Sequence, residues 1–462
     1  MTTALPRFGD LVSDGGMAAR AIRSTGFTVL RFGGQNALRL AGNLLLTRLL
    51  FPEAFGTMAI VQVVLTGAAM FSDFGIRGSI VQDARGDDPD FLNTAWTVQI
   101  LRGVILGAAI ALGAGPLAAF YDTPLLADLL MVAAVVPVIQ GVASTRLATA
   151  SRQLFLGRMV ALHLGAQAAG ILVMIALALC LGSIWALMLG ALFAPALVAG
   201  LSHVVIPGIR NRLCLDRDAL GRLFGFGKYV FLATIAGFFI AQGDKAVLGK
   251  FVSLTDLGVY NIAFFLASVP LLLAQKLGQA VLFPLYASRP PAASAHNRAR
   301  INRARVLVTG ALMAGLCALA LTGDGLIRLL YDARYHGAGA MMVLIALAAL
   351  PRVITASYVS LPLAAGASGR YAALMVIGAT IQFGFVYVGA RDYGMVGVIL
   401  APLLAALVHY PFLVLGTRRY RGWDPVHDLA YHLAALAAGG TIFWLHRDLL
   451  LPLLAGAGPA GG

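Results

Sequence analysis

The sequence has 462 residues, of which 60% are hydrophobic and 12% are charged, and its mean hydropathy is +0.85. These values exclude a soluble globular protein and are typical of a polytopic membrane protein. The net charge of +14 does not indicate a nucleic-acid-binding protein, because the basic residues follow the loops between apolar segments. The three cysteines are widely separated and predict neither a disulfide framework nor a metal site.

The first apolar segment, residues 26–50, is long enough to cross a bilayer as a helix but is unusually polar. Four polar side chains recur in it at intervals of four residues: Arg31, Gln35, Arg39 and Asn43. That spacing predicts a polar stripe on one face of the helix. A charged side chain at mid-membrane costs about 2.5–3.5 kcal/mol, so the two arginines indicate an internal hydrated cavity.

Further apolar windows that could span the membrane follow along the chain. They lie at about 56–76, 95–120, 124–145, 156–181, 184–206, 223–249, 257–285, 306–330, 338–364, 371–390, 394–416 and 429–445. Residues 449–457 are apolar but too short to span upright. The C-terminus therefore contains either a thirteenth helix with an interfacial segment or a distorted hairpin of two helices.

The basic residues are distributed unequally between the two sides of these spans. With the N-terminus in the cytoplasm, 22 lysines and arginines lie on the cytoplasmic side and 6 on the opposite side. The asymmetry predicts that the N-terminus of this multi-pass protein lies in the cytoplasm. No loop exceeds about 20 residues and no nucleotide-binding or hydrolase motif occurs, so we expect a protein that is not an enzyme.

An internal repeat relates two helix ends, LTRLLFPEAFGTMAI (46–60) and LGKFVSLTDLGVYNI (248–262). It aligns Gly56 with Gly258 and predicts two six-helix lobes of the same orientation, related by an axis along the membrane normal. The predicted domains are a cytoplasmic segment (1–25), an N-lobe (26–206), a cytoplasmic linker (207–222), a C-lobe (223–417) and a C-terminal segment (418–462).

Other charged residues fall within the predicted spans and leave an excess of positive charge. The cations are Arg31, Arg39, Lys245, Lys276 and Arg352, and the acids are Asp73 and Asp244. An uncompensated excess indicates an anionic ligand, and arginine suits phosphate or pyrophosphate oxygens. The alternatives are structural: Asp244 and Lys245 each have a partner in another helix, Lys276 snorkels to the interface, and Asp73 pairs with Arg77.

Two segments carry a family resemblance. Residues 47–82 contain L-x-P-E-x-F-G (Leu50 to Gly56) followed by D-x-G (Asp73 to Gly75), and residues 243–263 contain D-K-x-x-L-G-K (Asp244 to Lys250) followed by Gly258 and Tyr260. Both segments resemble the Wzx-type oligosaccharide flippases of the multidrug/oligosaccharidyl-lipid/polysaccharide (MOP) exporter superfamily.

The resemblance implies an all-α, two-lobed MOP-like fold with one or two extra C-terminal helices. It also implies a flippase that moves undecaprenyl-pyrophosphate-linked oligosaccharide to the periplasmic leaflet by alternating access. The substrate-binding residues would be Arg31, Gln35, Arg39, Asn43, Lys276 and Arg352, and the coupling or charge-pairing residues Asp73, Asp244 and Lys245.

Coupling would use H⁺, Na⁺ or the membrane potential, with no bound cofactor. The expected partners are the lipid-linked oligosaccharide, membrane lipids, a polysaccharide polymerase and glycosyltransferases, with no nucleic acid. The alternatives are a MurJ-type lipid II flippase, which fits a cationic cavity equally well, and a MATE-type drug/cation antiporter, which would need an acidic cavity.

Overall fold

The computed structural model describes residues 17–72, 75–153, 156–278 and 282–456, and these contain α-helices and no β-strand. The helices are α1 (Met17–Leu49), α2 (Pro52–Phe71), α3 (Ile76–Gln82), α4 (Pro89–Phe120), α5 (Leu125–Ala133), α6 (Val135–Val142), α7 (Arg146–Arg152), α8 (Leu156–Leu181), α9 (Trp185–Ser202), α10 (Arg217–Phe251), α11 (Leu254–Ala267), α12 (Val269–Leu277), α13 (Phe283–Ser288), α14 (Ala295–Leu330), α15 (Ala338–Val359), α16 (Leu361–Ala364), α17 (Ser368–Thr417), α18 (Pro425–Leu445) and α19 (Arg447–Ala455).

Eight helical stretches of the described chain are long and apolar enough to cross a membrane. They are Pro52–Phe71, Pro89–Phe120, Leu125–Val142, Gly157–Leu181, Trp185–Ser202, Ala295–Leu330, Ala333–Ala364 and Ser368–Tyr420. The long helices α1 and α10 both carry charged and polar side chains along their length. The described part of the protein is therefore all-α, with the composition of a multi-pass membrane protein.

Polar side chains at the helix starts fix several of the boundaries. Asp88 caps α4 by accepting a hydrogen bond from the backbone N–H of Asp90, and Pro89 occupies the first helical position. Ser253 caps α11 and Ser294 caps α14 in the same way. Such caps satisfy backbone N–H groups that have no partner within the helix.

Helix α17 contains two of the predicted spans, 371–390 and 394–416. Its continuity is interrupted at Gly394, which has φ +57° and ψ −136°, a conformation that side chains rarely adopt. The chain turns back there, and Gly389 and Gly397 lie in backbone contact beside the turn. The prediction of two helices in this region is confirmed.

The C-terminal segment consists of α18, with 21 residues, and α19, with nine residues. At 1.5 Å per residue α19 is about 14 Å long, which is shorter than the hydrocarbon core of a bilayer. The C-terminal segment thus has one long helix followed by one short helix, and a thirteenth membrane span there stays a prediction.

The described residues form two compact units. The first consists of residues within Met1–Leu50 and Gly67–Phe231, and the second of residues within Phe51–Thr66 and Leu232–Gly462. These bounds differ around α2 and α10 from the N-lobe and C-lobe limits derived from the sequence. The two lobes therefore stay a prediction. Helix α10 begins at Arg217, so the non-helical part of the predicted linker is 207–216.

This non-helical strap, residues 207–216, is held against the first unit by hydrogen bonds at every second residue. The backbone N–H groups of Arg212, Cys214 and Asp216 donate to side chains near the start of α4, at 2.9–3.0 Å. The Arg146 Nε donates to the carbonyl of Ile209 at 2.7 Å. The linker is therefore an ordered element and not a free tether.

Charged side chains strengthen the attachment of the strap. Arg85 contacts Asp88 at 2.6 Å, Asp218 at 2.8 Å and Asp216 at 3.4 Å. The hydrogen bond from Arg85 lowers the pKa of Asp88, and hydrogen bonds from Arg222 and Arg85 lower the pKa of Asp218. The same carboxylates raise the pKa of Arg85.

Candidate functional site

Helix α1 packs against α8 through two glycines. A Cβ at Gly34 would lie 3.1 Å from Leu164, and a Cβ at Gly42 would lie 3.0 Å from Ile171. The Gln167 amide donates to the backbone carbonyl of Gln35 at 2.9 Å. These contacts fix the rotation of α1, and with it the direction of the polar stripe.

The polar stripe predicted on α1 is present on a continuous helix. Arg31, Gln35 and Asn43 are half-buried within the first unit, whereas Arg39 is exposed. The apolar Leu30 and Leu45 are also exposed; Leu30 lies about a quarter turn around the helix from Arg31, and Leu45 lies almost half a turn from Asn43. The stripe therefore lies beside the packed face of α1 and is separate from its exposed apolar face.

Two residues that the sequence reasoning left out lie close to Arg31. Arg77 and Arg31 repel each other electrostatically, and both act on His163 of α8. The Arg77 guanidinium donates to the Ser151 hydroxyl at 2.7 Å. The sequence suggested only Asp73 as a neighbour of Arg77 and gave no sign of the interaction with His163. Asp73, the proposed partner of Arg77, lies outside the described residues.

The second unit brings Asp244 and Arg352 together. Asp244 on α10 is 7% exposed, and its Oδ2 accepts a hydrogen bond from the Tyr260 hydroxyl on α11 at 2.6 Å. Arg352, half-buried on α15, interacts electrostatically with both residues. A partner for Asp244 in another helix was one of the alternatives from the sequence, whereas Tyr260 appeared there only as part of the second motif.

The two lysines predicted for the site lie in different surroundings. The Lys245 ammonium lies 4.5 Å from the centroid of the Phe264 ring, a cation–π contact on the side of α10 next to Asp244. Lys276 is exposed in the last turn of α12. Its position agrees with either reading of the sequence, a substrate contact or a side chain that reaches the membrane interface.

A buried polar cluster in the second unit was not predicted. Arg305, assigned from the sequence to a cytoplasmic loop, is fully buried on α14, and its Nη2 donates to the Tyr286 hydroxyl at 2.9 Å. Its guanidinium lies 4.2 Å from the centroid of the Tyr358 ring. The Tyr358 and Tyr410 hydroxyls both donate to Asp428 of α18 at 2.6 Å. This Arg305 cluster joins α18 to the rest of the second unit.

The described residues contain no group of three or more His, Cys, Asp or Glu side chains with metal-binding geometry. The side chains predicted to bind substrate are arginines, amides and a lysine: Arg31, Gln35, Arg39 and Asn43 in the first unit, and Lys276 and Arg352 in the second. Such groups can bind and orient an anionic ligand through charge-assisted hydrogen bonds.

Known proteins with the same fold are transporters. A lipid II flippase MurJ in an inward closed conformation matches with a TM-score of 0.69 and 12% identity, over 92% of this chain and 99% of that one. An inward-facing MATE family multidrug resistance transporter of the MOP superfamily matches with a TM-score of 0.58 and 14% identity, over 84% and 95%. At these identities the likeness shows the fold alone.

Relatives in sequence point to polysaccharide synthesis. The succinoglycan biosynthesis transport protein ExoT of Rhizobium meliloti (strain 1021) is 26% identical over 312 residues, which are 66% of this chain and 61% of that protein. The match thus spans less than two thirds of the relative's length. Residues 45–339, more than half of the chain, match the family described as polysaccharide biosynthesis protein. The chain therefore belongs to this polysaccharide biosynthesis family, and both sequence motifs lie within the matched residues.

Proposed function

We propose that the protein is a flippase for undecaprenyl-pyrophosphate-linked oligosaccharide repeat units, which it moves from the cytoplasmic to the periplasmic leaflet. The product would serve exopolysaccharide, capsule or O-antigen synthesis. The family and the relative named for succinoglycan transport support this substrate class. The observation that carries the proposal is that arginines lie within long helices of both compact units: Arg31, Arg39 and Arg352.

In this mechanism the guanidinium groups of Arg31, Arg39 and Arg352 bind the pyrophosphate, because each offers a planar pair of donors to phosphate oxygens. Gln35, Asn43 and Lys276 contact the remaining phosphate and sugar oxygens. The lipid tail stays in the bilayer while alternating access carries the head group across. The protein binds and releases its substrate without breaking a covalent bond in it.

The membrane potential favours this direction of transport. An inside-negative potential assists the outward movement of an anion by about 2.3 kcal/mol per charge per 100 mV. If H⁺ or Na⁺ is exchanged as well, Asp73 and Asp244 are its carriers. The protein would lie in the bacterial inner membrane with its N-terminus in the cytoplasm, where glycosyltransferases make the substrate, and would supply a polymerase on the other side.

The test is translocation of a fluorescent undecaprenyl-pyrophosphate oligosaccharide in proteoliposomes. The variants are Arg39→Gln and Arg352→Gln, with Arg102→Gln as a matched control. Arg102 is also an arginine in a spanning helix, but its Nε donates to the Ser72 hydroxyl at 3.0 Å, and we place it outside the site. Correct folding is checked by the elution volume and thermal unfolding of each purified variant.

We expect translocation by the wild type and by Arg102→Gln, and at least a tenfold loss in the other two variants. Equal rates in all four proteins would leave the function standing and refute the assigned arginines. A wild type that moves no lipid-linked oligosaccharide but exports cationic dyes would refute the flippase and favour the antiporter.

A further inference from the structure

The Asp244 carboxylate is buried, and within the described chain only one of its two oxygen atoms accepts a hydrogen bond. It is 7% exposed, and Oδ2 accepts the 2.6 Å hydrogen bond from Tyr260, which is 2% exposed. The second oxygen, Oδ1, is buried and has no hydrogen-bond partner among the described residues. A single neutral hydroxyl does not offset the cost of removing a carboxylate from water, so the site needs a cation.

Arg352 is the cation that the fold supplies. It lies on α15, which packs against the helix that carries Tyr260, and it interacts electrostatically with Asp244 and Tyr260. Its guanidinium makes no side-chain hydrogen bond within the described part of the chain, and it is half-buried. Lys245 is adjacent in sequence, but its ammonium lies against the Phe264 ring. Arg352 thus combines a nearby internal anion with donors that a ligand can use.

We propose that Asp244 and Tyr260 form an internal counter-ion that competes with the phosphate groups of the substrate for Arg352. This inference rests on the proposed function, because it assumes that Arg352 binds an anionic substrate. In the empty protein Asp244 attracts Arg352, and a bound phosphate takes over part of that interaction. Asp244 and Tyr260 are positioning residues, since they act on the substrate through Arg352.

The competition has a physical consequence for transport. Two anions that share one guanidinium each weaken the binding of the other by the same factor, since binding free energies are reciprocally coupled. A counter-ion inside the protein therefore lowers the affinity for the substrate and speeds its release. Tyr260 sets the strength of the competition, because its hydroxyl holds Oδ2 and leaves Oδ1 for the cation.

The experiment measures binding of inorganic pyrophosphate, as a soluble probe, to the full-length protein in nanodiscs of uncharged lipid at fixed ionic strength. The variants are Asp244→Asn, Tyr260→Phe, Arg352→Gln and the double variant Asp244→Asn/Arg352→Gln. The matched control is Asp392→Asn, an exposed carboxylate of the same unit that lies 3.5 Å from Arg391. Each protein is also assayed for lipid translocation in proteoliposomes.

We expect Asp244→Asn to bind pyrophosphate about tenfold more tightly and to translocate the lipid-linked oligosaccharide more slowly. Tyr260→Phe should change binding by a smaller factor, because the carboxylate remains, and Asp392→Asn should match the wild type. The double variant should bind as weakly as Arg352→Gln alone. Without the Arg352 guanidinium, removing the charge of Asp244 makes no donor available to pyrophosphate. A slower turnover with tighter binding is not expected of a purely structural residue.

The outcomes separate the two proposals. If Arg352→Gln weakens binding but Asp244→Asn leaves it unchanged or weaker, the counter-ion is refuted and the substrate site stands. If Arg352→Gln binds like the wild type, or if the wild type does not bind pyrophosphate, the assigned substrate site is refuted and the counter-ion with it. Should Asp244→Asn fail to fold, an unchanged affinity in Tyr260→Phe refutes the inference.

Discussion

Gly56 and Gly258, which the internal repeat aligns, contact each other across the first turns of α2 and α11. A Cβ added to Gly56 would overlap the carbonyl oxygen of Leu254, and a Cβ added to Gly258 would overlap that of Pro52. Each added Cβ would also lie 3.1 Å from the other glycine's backbone nitrogen. The contact is reciprocal, because Pro52 and Leu254 are themselves aligned by the repeat. A local pseudo-two-fold axis passes between these two helix starts.

Alanine at either glycine should destabilise the protein. The groups it would meet are backbone atoms, which cannot rotate away, so the helices must separate at a cost of about 1–3 kcal/mol. We expect a lower unfolding temperature for Gly56→Ala and Gly258→Ala in detergent. Gly115→Ala is the control, because a Cβ there meets nothing within 4 Å. An unfolding temperature equal to that of the control would contradict the close contact.

Removing the charge of Arg305, or one of the hydrogen bonds to Asp428, should lower the stability of the folded protein. Arg305→Met leaves Asp428 as a buried carboxylate without its nearby cation, and such losses cost about 3–5 kcal/mol. Tyr358→Phe removes one hydrogen bond to Asp428 and should cost about 1–3 kcal/mol. Thermal or denaturant unfolding measures both effects, with the exposed Tyr387→Phe as the control.

A double-mutant cycle tests whether Arg305 and Asp428 interact. The combined variant Arg305→Met/Asp428→Asn should lose less stability than the sum of the two single changes, since neither charge is then left alone. Strict additivity would mean that Arg305 is held by Tyr286 and Tyr358 alone.

Hydrophobic segments were sufficient to predict the all-α membrane fold, and each of the eight apolar helical stretches found among the described residues overlaps a predicted span. The length of an apolar segment corresponds directly to the thickness of the bilayer. The windows 371–390 and 394–416 could therefore be told apart, although both lie within α17. The strap at 207–216 was not foreseen as an ordered element. Its backbone N–H groups donate to side-chain oxygens of Asn93, Thr94 and Thr97, and no local pattern links these residues to a linker more than a hundred residues away.

The candidate site was predictable only where a charge interrupts an apolar helix. Arg31, Arg39 and Arg352 stand out for that reason, whereas Tyr260 does not, because a tyrosine in a membrane helix is usually a packing or interfacial residue. Arg305 was missed for the opposite reason. It belongs to a run with Arg298, Arg300 and Arg303 that reads as a solvated loop, and tertiary packing buries this one residue alone among aromatic rings.

The attachment of the strap should depend on pH only in acid. Asp88 and Asp218 have lowered pKa values in the folded protein, so the folded state binds fewer protons than the unfolded state. Their stabilising contribution is complete above the ordinary Asp pKa of about 3.9 and is lost as the pH falls through the lower folded-state values. Protection of the 207–216 amides from hydrogen exchange, corrected for the intrinsic rate, should thus be constant from pH 8 to 5 and decline below about pH 4.

The variant Arg85→Gln should expose these amides already at pH 7 and flatten the acid transition, because the carboxylates lose their shared cation. Arg289→Gln, an exposed arginine of the other unit, should leave both unchanged. A loss of protection between pH 8 and 5 would mean that the carboxylates of Asp88 and Asp218 do not control the attachment of the strap. In that case the ion pairs of Arg85 would not be what holds the linker in place.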